Sequence, residues 1–314
     1  MTIEMRDIKK SFGENEVLKG ISFSVQGGKA LGLLGRNGAG KTTAIRIIMG
    51  VFPQDSGSVL LDGAPINRSK LKIGYLPEER GLYPKKIIIE QLIYFGVLKG
   101  LTKTKAGKSA QRWLARLEMQ EYSKSRLDTL SKGNQQKIQL AATLISDPDI
   151  IILDEPFSGL DPVNAMMLKD IVKELISEGK TVLFSSHQMN YVEEFCDKIA
   201  ILNGGNIVLN GNIGEIKRRY DRSTLFISSP QSDEMHKYLN SLGGQVEGCE
   251  KENGGLLVKL KSAADKPELL AALLAPGFDI DEIKVKEPTL NEIFVEYTSE
   301  YAPERRVKAN EAIF

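Results

Sequence analysis

The sequence predicts an α/β fold, in which a sheet containing parallel strands is followed by a smaller α+β domain. A glycine-rich loop at 35–42 lies between a predicted strand and a predicted helix. A strand–helix–strand unit spans 149–185, and two strands joined by one helix lie parallel in the same sheet. Residues 222–298 instead follow the order β-α-β-β-α-β, which is a ferredoxin-like arrangement.

The 314 residues are enough for about two domains. We expect one domain at 1–220, a second at 221–299 and a charged tail at 300–314. In the first domain, alternating or continuous apolar residues predict the strands. These strands lie at 2–8, 17–25, 30–34, 58–62, 72–76, 149–153, 181–185, 199–202 and 206–209. Helical spacing predicts helices at 41–50, within 85–146, at 162–178 and at 213–220.

The second domain shows the same two kinds of spacing in shorter segments. Its predicted strands lie at 224–228, 246–250, 256–261 and 280–285. Its predicted helices lie at 232–242, at 267–274 and after Pro288. Asn253-Gly254-Gly255 marks the turn of a hairpin between the two central strands.

Composition and charge exclude several classes of protein. The 42 basic and 41 acidic residues nearly cancel, so no overall field favours nucleic acid, and no nucleic-acid partner is expected. Cys196 and Cys249 form neither a metal motif nor a disulfide framework, which fits a reducing cytosol. No signal peptide is recognisable, and no apolar run approaches the roughly 20 residues of a spanning helix. A membrane-spanning part is therefore expected in another chain.

Residues 35–42 fit the pattern G-x-x-x-x-G-K-[ST], in which backbone N–H groups surround phosphate oxygens at the start of a helix. The following Lys41 is expected to reach the β- and γ-phosphates of ATP. The hydroxyl of Thr42 is expected to bind Mg²⁺, and Thr43 to contact the α-phosphate. The loop residues expected at the phosphates are Gly35, Asn37, Gly38, Ala39 and Gly40.

A second motif is an apolar strand that ends in two carboxylates, Asp154 and Glu155. Ligands of open α/β sheets bind at the carboxyl ends of the strands, so Asp154 is expected to bind Mg²⁺ there. Glu155 stands one residue further and is expected to act as general base on the attacking water. An acidic turn after a strand is also common without any such role.

A third motif carries a resemblance to the ABC ATPase family. Residues 130–137, Leu-Ser-Lys-Gly-Asn-Gln-Gln-Lys, are similar to the family signature, which is usually Leu-Ser-Gly-Gly-Gln. Lys132 stands where the family has the first Gly, and Asn134 replaces the Gln. The resemblance implies that Ser131, Gly133 and Asn134 bind the γ-phosphate of a nucleotide held by another subunit. Local chemistry alone favours a plain helix N-cap at Ser131, and the position of the motif just ahead of the carboxylate strand reverses that preference.

The resemblance covers residues 2–220 and implies a P-loop NTPase core of ABC type, with a mixed sheet, a helical subdomain and an antiparallel β subdomain. It places Asp161 in the D-loop that crosses the dimer, and His187 at the switch histidine, which helps Glu155 to hold the water. It also places Phe12 where an aromatic ring stacks on adenine, with Val17 beside it. An aromatic residue in a strand is otherwise more often part of a core.

Residues 74–79, Gly-Tyr-Leu-Pro-Glu-Glu, resemble the Q-loop, where Glu78 replaces the usual Gln. A carboxylate can still bind Mg²⁺ or a water, although it adds negative charge near the phosphates. Glu78 is therefore expected in both the nucleotide site and the metal site.

Residues 287–294, Glu-Pro-Thr-Leu-Asn-Glu-Ile-Phe, resemble the ending of drug, sodium and antibiotic exporter ATPases. An amphipathic helix that only packs a small domain would have a similar pattern. The resemblance implies an ATP-hydrolysing exporter subunit at the cytoplasmic face of the membrane. Its partners would be a transmembrane permease and a second ATPase subunit, identical or different. The rival interpretations are an ABC ATPase that acts on ribosomes or DNA, and an ATP-gated module without catalysis.

Overall fold

The structure is a computed structural model that describes residues 1–79, 81–242, 244, 246–252 and 254–299. The expected tail at 300–314 and the turn residue Asn253 lie outside these residues. Two compact units are formed: one by Met1–Ile213 with the described residues from Phe294 onward, the other by Gly214–Ile293. The predicted division into 1–220 and 221–299 stays a prediction.

The strands are β1 (Thr2–Phe12), β2 (Asn15–Gln26), β3 (Ala30–Gly35), β4 (Ser56–Leu61), β5 (Ala64–Pro65), β6 (Ile73–Leu76), β7 (Ile150–Asp154), β8 (Thr181–Ser185), β9 (Lys198–Asn203), β10 (Asn206–Asn212), β11 (Thr224–Ser228), β12 (Val246–Glu252), β13 (Gly255–Leu260) and β14 (Glu282–Val285). The helices are α1 (Lys41–Met49), α2 (Ile88–Leu98), α3 (Lys103–Arg116), α4 (Lys132–Leu144), α5 (Pro162–Ser177), α6 (Met189–Phe195), α7 (Ile213–Arg218), α8 (Ser232–Ser241), α9 (Lys266–Leu274) and α10 (Leu290–Thr298). Within the described ranges, none of these helices combines the length and apolar character needed to cross a membrane.

The central sheet of the first unit has six strands in the order β10-β9-β3-β8-β7-β6. All neighbouring pairs are parallel except β9 and β10, which form an antiparallel hairpin. Because β6, β7 and β8 run in the same direction, Leu76, Asp154 and Ser185 reach the same edge of the sheet. This edge carries the predicted site.

A second sheet of the first unit is antiparallel, in the order β2-β1-β4-β5. Its buried side chains share one hydrophobic core with α1 and the central sheet, including Met5, Ile21, Leu33 and Ile45, each 0% exposed. Helices α2, α3 and α4 form the predicted helical region between β6 and β7. The mixed sheet, the antiparallel sheet and the helical region confirm the fold predicted for this unit.

The second unit has a four-stranded antiparallel sheet in the order β12-β13-β11-β14. Its core contains Leu225 and Val258 from the sheet, Leu239 from α8 and Leu273 from α9. With the chain order β-α-β-β-α-β, this strand order is ferredoxin-like, as predicted.

Candidate active site

A cavity of about 530 Å³ opens in the first unit, at the carboxyl edge of the central sheet. Most of the predicted site residues line it, although they come from distant parts of the sequence. The lining residues are Val17, Asn37, Gly38, Gly40, Lys41, Thr42, Thr43, Glu78, Asp154, Glu155 and His187. Of the predicted loop residues, Gly35 and Ala39 do not line the cavity, and Ala39 is buried beneath it.

The glycine-rich loop takes its shape from Gly40. This residue has φ 108°, and a Cβ atom there would lie 2.7 Å from Cδ2 of Leu18, so a side chain would be strained and would clash. Gly40 is also the N-cap of α1, and it gives the helix no side-chain cap. The backbone N–H groups of the first turn are therefore suited to an anion, which the positive end of the helix dipole also favours.

Lys41 is held against the loop that precedes it. Its Nζ donates to the carbonyl oxygen of Gly35 at 2.7 Å and to that of Arg36 at 3.2 Å. Burial lowers the pKa of the Lys41 ammonium, while the nearby carboxylates of Glu155, Asp154 and Glu78 act in the opposite direction. An ammonium has three N–H donors, so this anchoring leaves one for a phosphate.

Asp154 ends β7 and is only 6% exposed. The hydroxyl of Tyr75, on the neighbouring strand β6, donates to Oδ2 of Asp154 at 3.3 Å. Burial, followed by the charge of Asp154, raises the pKa of Tyr75 to about 12, so the hydroxyl keeps its proton at neutral pH. Asp154 therefore has a hydrogen-bond donor at Oδ2, and a carboxylate has further lone pairs that can bind a ligand.

Glu155 interrupts the strand geometry. Its φ of 48° lies in the left-handed region, which is uncommon for a residue with a side chain. The residue is held there because its N–H donates to the carbonyl oxygen of Ser185 at 2.8 Å and its carbonyl accepts from the N–H of Ser158 at 3.1 Å. Strain of this kind persists where surrounding bonds over-determine the backbone, and it is frequent at active sites.

The carboxylate of Glu155 is oriented by the two residues that follow β8. Oε2 accepts from the hydroxyl of Ser186 at 3.0 Å, and Oε1 accepts from the backbone N–H of His187 at 2.8 Å. Nδ1 of His187 also lies 2.8 Å from Oε1. The side chain of Glu155 is 8% exposed and that of His187 is 68% exposed, so the imidazole reaches outward from a buried carboxylate. A buried, oriented carboxylate beside a phosphate-binding loop can polarise a water.

The oxygen atoms around this cavity suit a magnesium ion. Mg²⁺ is usually bound by one or two carboxylates, by water and by the phosphates of a substrate. The hydroxyl of Thr42 and the carboxylates of Asp154 and Glu78 are hard oxygen ligands of this kind, and all three residues line the cavity. The donor set therefore fits the ion that the sequence suggests.

The predicted signature and D-loop residues lie outside the cavity lining. Ser131 is the N-cap of α4, where its hydroxyl accepts from the N–H of Asn134 at 3.3 Å. Asp161 is the N-cap of α5 and accepts from two N–H groups of its first turn. At Gly133, an added Cβ atom would lie 3.0 Å from Nδ2 of Asn164 in α5, so this glycine allows α4 to approach α5 closely.

Phe12 also lies outside the cavity lining, although Val17 is part of it. The ring of Phe12 is 49% exposed and packs edge-on against Phe52, with centroids 5.4 Å apart. Nζ of Lys10 lies 5.4 Å from the centroid of the same ring, so this exposed ring has a cation–π contact and is not a core residue.

Sequence reasoning did not identify Tyr75, Ser186 or Gln139 as parts of the site. Ser186 stands next to His187, so the adjacent histidine was the available signal. Tyr75 lies within the segment that resembles the Q-loop. For Gln139, the sequence offers no signal because the two backbone carbonyls that its amide contacts are more than 50 residues away along the chain.

The fold and the cavity together define a P-loop nucleotide-binding protein. A family model described as ABC transporter matches residues 18–158, and one described as ATP-binding protein DrrA1-3-like, C-terminal domain, matches residues 211–298. A solved structure of the ATP binding subunit of an ABC transporter is 28% identical, with a TM-score of 0.64 over 70% of this chain and 93% of its own.

Two relatives from Bacillus subtilis (strain 168) match almost the whole chain. The uncharacterized ABC transporter ATP-binding protein YhaQ is 42% identical over 292 residues, which are 92% of this chain and 96% of the relative. The linearmycin resistance ATP-binding protein LnrL is 33% identical over 305 residues, which are 94% of this chain and 98% of the relative. The chain belongs to the family of ABC transporter ATP-binding proteins. It is an ATP-binding subunit of a transport system, and it is an ATPase.

Proposed function

We propose that the chain is the ATP-hydrolysing motor of an exporter, docked on a transmembrane permease at the cytoplasmic face of the membrane. The observation that carries the motor function is the convergence of Lys41, Asp154, Glu155 and His187 on one cavity. The direction of transport is supported by the similarity to LnrL, a resistance protein, and by the DrrA-like C-terminal match.

In this proposal, the loop from Gly35 to Gly40 and the first turn of α1 bind the phosphates of ATP. Lys41 contacts the β- and γ-phosphates, Thr43 contacts the α-phosphate, and Phe12 and Val17 contact the adenine. Thr42, Asp154 and Glu78 hold Mg²⁺, which neutralises the charge of the phosphates when it is bound.

The hydrolytic step needs a positioned water more than covalent chemistry. Glu155 accepts a hydrogen bond from the water, whose oxygen attacks the γ-phosphorus while the bond to the ADP oxygen breaks. The proton of the water passes toward the Glu155 carboxylate. Ser186 keeps this carboxylate in place, and His187 holds the γ-phosphate and the water in line.

We further propose that ATP is bound between two ATPase subunits, identical or different. Ser131, Gly133, Asn134 and Asp161 lie away from the cavity of their own chain, which supports a role at the nucleotide of the other subunit. Closure of the pair on ATP and its opening after hydrolysis would then drive the permease. Residues 1–220 form the ATPase domain in this scheme, and residues 221–299 form an accessory domain.

The pairing is tested by sedimentation of the E155Q variant with and without ATP and Mg²⁺. We expect a dimer only with nucleotide, and we expect S131R to prevent it. The matched control is T102R, because Thr102 is also the N-cap of a helix, α3, and its hydroxyl accepts one backbone N–H at 3.3 Å. A nucleotide-loaded E155Q chain that stays monomeric at high concentration would refute pairing between identical subunits.

The membrane role is tested by isolating the tagged chain from detergent-solubilised membranes of its own cells. We expect a multi-spanning membrane protein in the isolated complex, identified by mass spectrometry. Recovery of the chain with ribosomes or DNA, and without any membrane protein, would contradict the exporter proposal.

A further inference from the structure

Helix α4 carries a buried amide that reaches the loop after β6. Gln139 is 4% exposed. Its Nε2 donates to the carbonyl oxygen of Pro77 and to that of Glu79, both at 3.1 Å. A primary amide has two N–H donors, so both donors of Gln139 are used on the two residues that flank Glu78.

The two hydrogen bonds from Gln139 lie beyond the end of strand β6, where the ladder to β7 has stopped. The ladder between β6 and β7 ends with the pair Leu76 and Leu153. Glu78 lies two residues beyond this end, is exposed and lines the nucleotide cavity. Because a carbonyl on each side of Glu78 is tied to a buried side chain, the backbone that carries the carboxylate is restrained from both sides.

The helix that supplies Gln139 is itself attached to β6. One turn further along α4, the hydroxyl of Thr143 lies 2.9 Å from the carbonyl oxygen of Gln139 and 3.2 Å from that of Tyr75, and its single proton can be donated to either. Tyr75 is also held by the parallel ladder between β6 and β7, so the Thr143 hydroxyl contacts a segment that is already hydrogen-bonded to its neighbouring strand. Gln139, in contrast, restrains a segment beyond the ladder.

We propose that Gln139 is a positioning residue, which holds the Glu78 carboxylate at the nucleotide cavity through the carbonyls of Pro77 and Glu79. This inference rests on the proposed function in one respect, since it takes Glu78 as a ligand of Mg²⁺ or of a metal-bound water. The same bonds tie the loop to α4, the helix that Ser131 caps.

The first test compares Q139M with T143V in protein without nucleotide or metal. Q139M keeps the size and apolar stem of the side chain and removes both donors, whereas T143V removes one buried hydroxyl from the same helix. Backbone order parameters at the amides of Glu78 and Glu79 are measured by NMR relaxation. We expect values of about 0.85 in the wild type and in T143V, and values below about 0.6 in Q139M. Unchanged order parameters in Q139M would overturn the proposal.

The second test is a double-mutant cycle on the Mg²⁺ concentration that gives half-maximal ATPase activity. Loss of one to two hydrogen bonds predicts that the half-maximal Mg²⁺ concentration rises about three- to tenfold in Q139M. If Gln139 acts through the Glu78 carboxylate, the same change in an E78A background, which has no side-chain oxygen at this position, adds less than about twofold. An equal factor in both backgrounds would overturn the proposal. If Q139M does not fold, Q139N serves instead, because its amide is one methylene too short to reach both carbonyls.

The metal role of Glu78 and the positioning role of Gln139 can be refuted separately. If E78A alone leaves the Mg²⁺ requirement unchanged, the metal role of Glu78 in the proposed function is wrong. The order parameters of the Glu78 and Glu79 amides then still decide whether Gln139 restrains the loop.

Discussion

Replacing Ser186 with alanine tests how the carboxylate of Glu155 is held for catalysis. Ser186 is 2% exposed, and its hydroxyl is fully engaged: it donates to Oε2 of Glu155 at 3.0 Å and accepts from the N–H of Gln188 at 3.0 Å. S186A removes only the hydroxyl. The variant leaves Oε2 of Glu155 and the backbone N–H of Gln188 without their hydrogen bonds to the Ser186 hydroxyl.

The expected loss of activity follows from the hydrogen bond to a charged acceptor. Such a bond contributes about 1.5–3 kcal/mol, which corresponds to a fall in kcat of about 10- to 150-fold if the whole contribution is lost in the transition state. The backbone N–H of His187 still donates to Oε1 at 2.8 Å, so the carboxylate is loosened and not released. ATP binding is expected to stay within about threefold of the wild type, because Ser186 does not line the cavity.

The assay measures kcat and the Kd for ATP in the wild type, S186A and a matched control, S109A. Ser109 also donates one hydrogen bond from its hydroxyl, to the carbonyl oxygen of Ile145 at 2.7 Å, and it lies in helix α3. We expect the control to lose some thermal stability and to keep its kcat. If S186A keeps kcat within twofold of the wild type, hydroxyl orientation of Glu155 is not required, and our account of the carboxylate is wrong.

Three further outcomes are expected. E155Q keeps the shape of the side chain but cannot accept a proton, so kcat falls by about 10²- to 10⁴-fold while ATP still binds; normal turnover would remove Glu155 from the base role. K41A weakens ATP binding by about 100-fold or more, measured by titration calorimetry, and tight binding would contradict the phosphate contact. The hydrogen bond from Lys259, together with those from Ser223, lowers the pKa of Asp221 to about 2. Stability from Asp221 is therefore present above about pH 4 and is lost as the pH falls toward 2. Because this side chain is 61% exposed, screening limits the effect to about 1 kcal/mol. The urea midpoints of wild type and D221N should therefore differ at pH 7 and converge as the pH falls to about 2. A constant difference across this range would contradict the assignment.

The fold was predictable where burial and backbone pairing coincide. The ranges predicted for β8 and β11 are those of the structure, because apolar runs fill both strands and polar residues end them. For β1 and β2, the predictions at 2–8 and 17–25 are too short. These strands continue through exposed residues to a tight turn at Gly13, which has φ 61°. There the ladder hydrogen bonds hold the chain, and a search for apolar alternation cannot detect them.

The site was predictable where its residues are neighbours in the chain. The loop that ends at Lys41 and the pair Asp154 and Glu155 each stand in one short motif, and both line the cavity. The contacts that orient these residues cross the sequence, since Tyr75 and Asp154 are 79 positions apart. Polar residues that support a site from a distance have no local pattern, so only the folded chain identifies them.

The first unit is discontinuous in the sequence, because the chain leaves it after Ile213 and returns at Phe294. The return is anchored: Nδ2 of Asn203 donates to the carbonyl oxygen of Tyr297 at 3.4 Å, and Tyr297 is 4% exposed. The segment between these joints, Gly214–Ile293, is therefore flanked on both sides by the first unit. Truncation after residue 220 would remove the buried Tyr297 from the first unit as well, so a resulting defect would not report on the second unit alone. A clean excision removes this segment alone and splices a short flexible linker before Phe294.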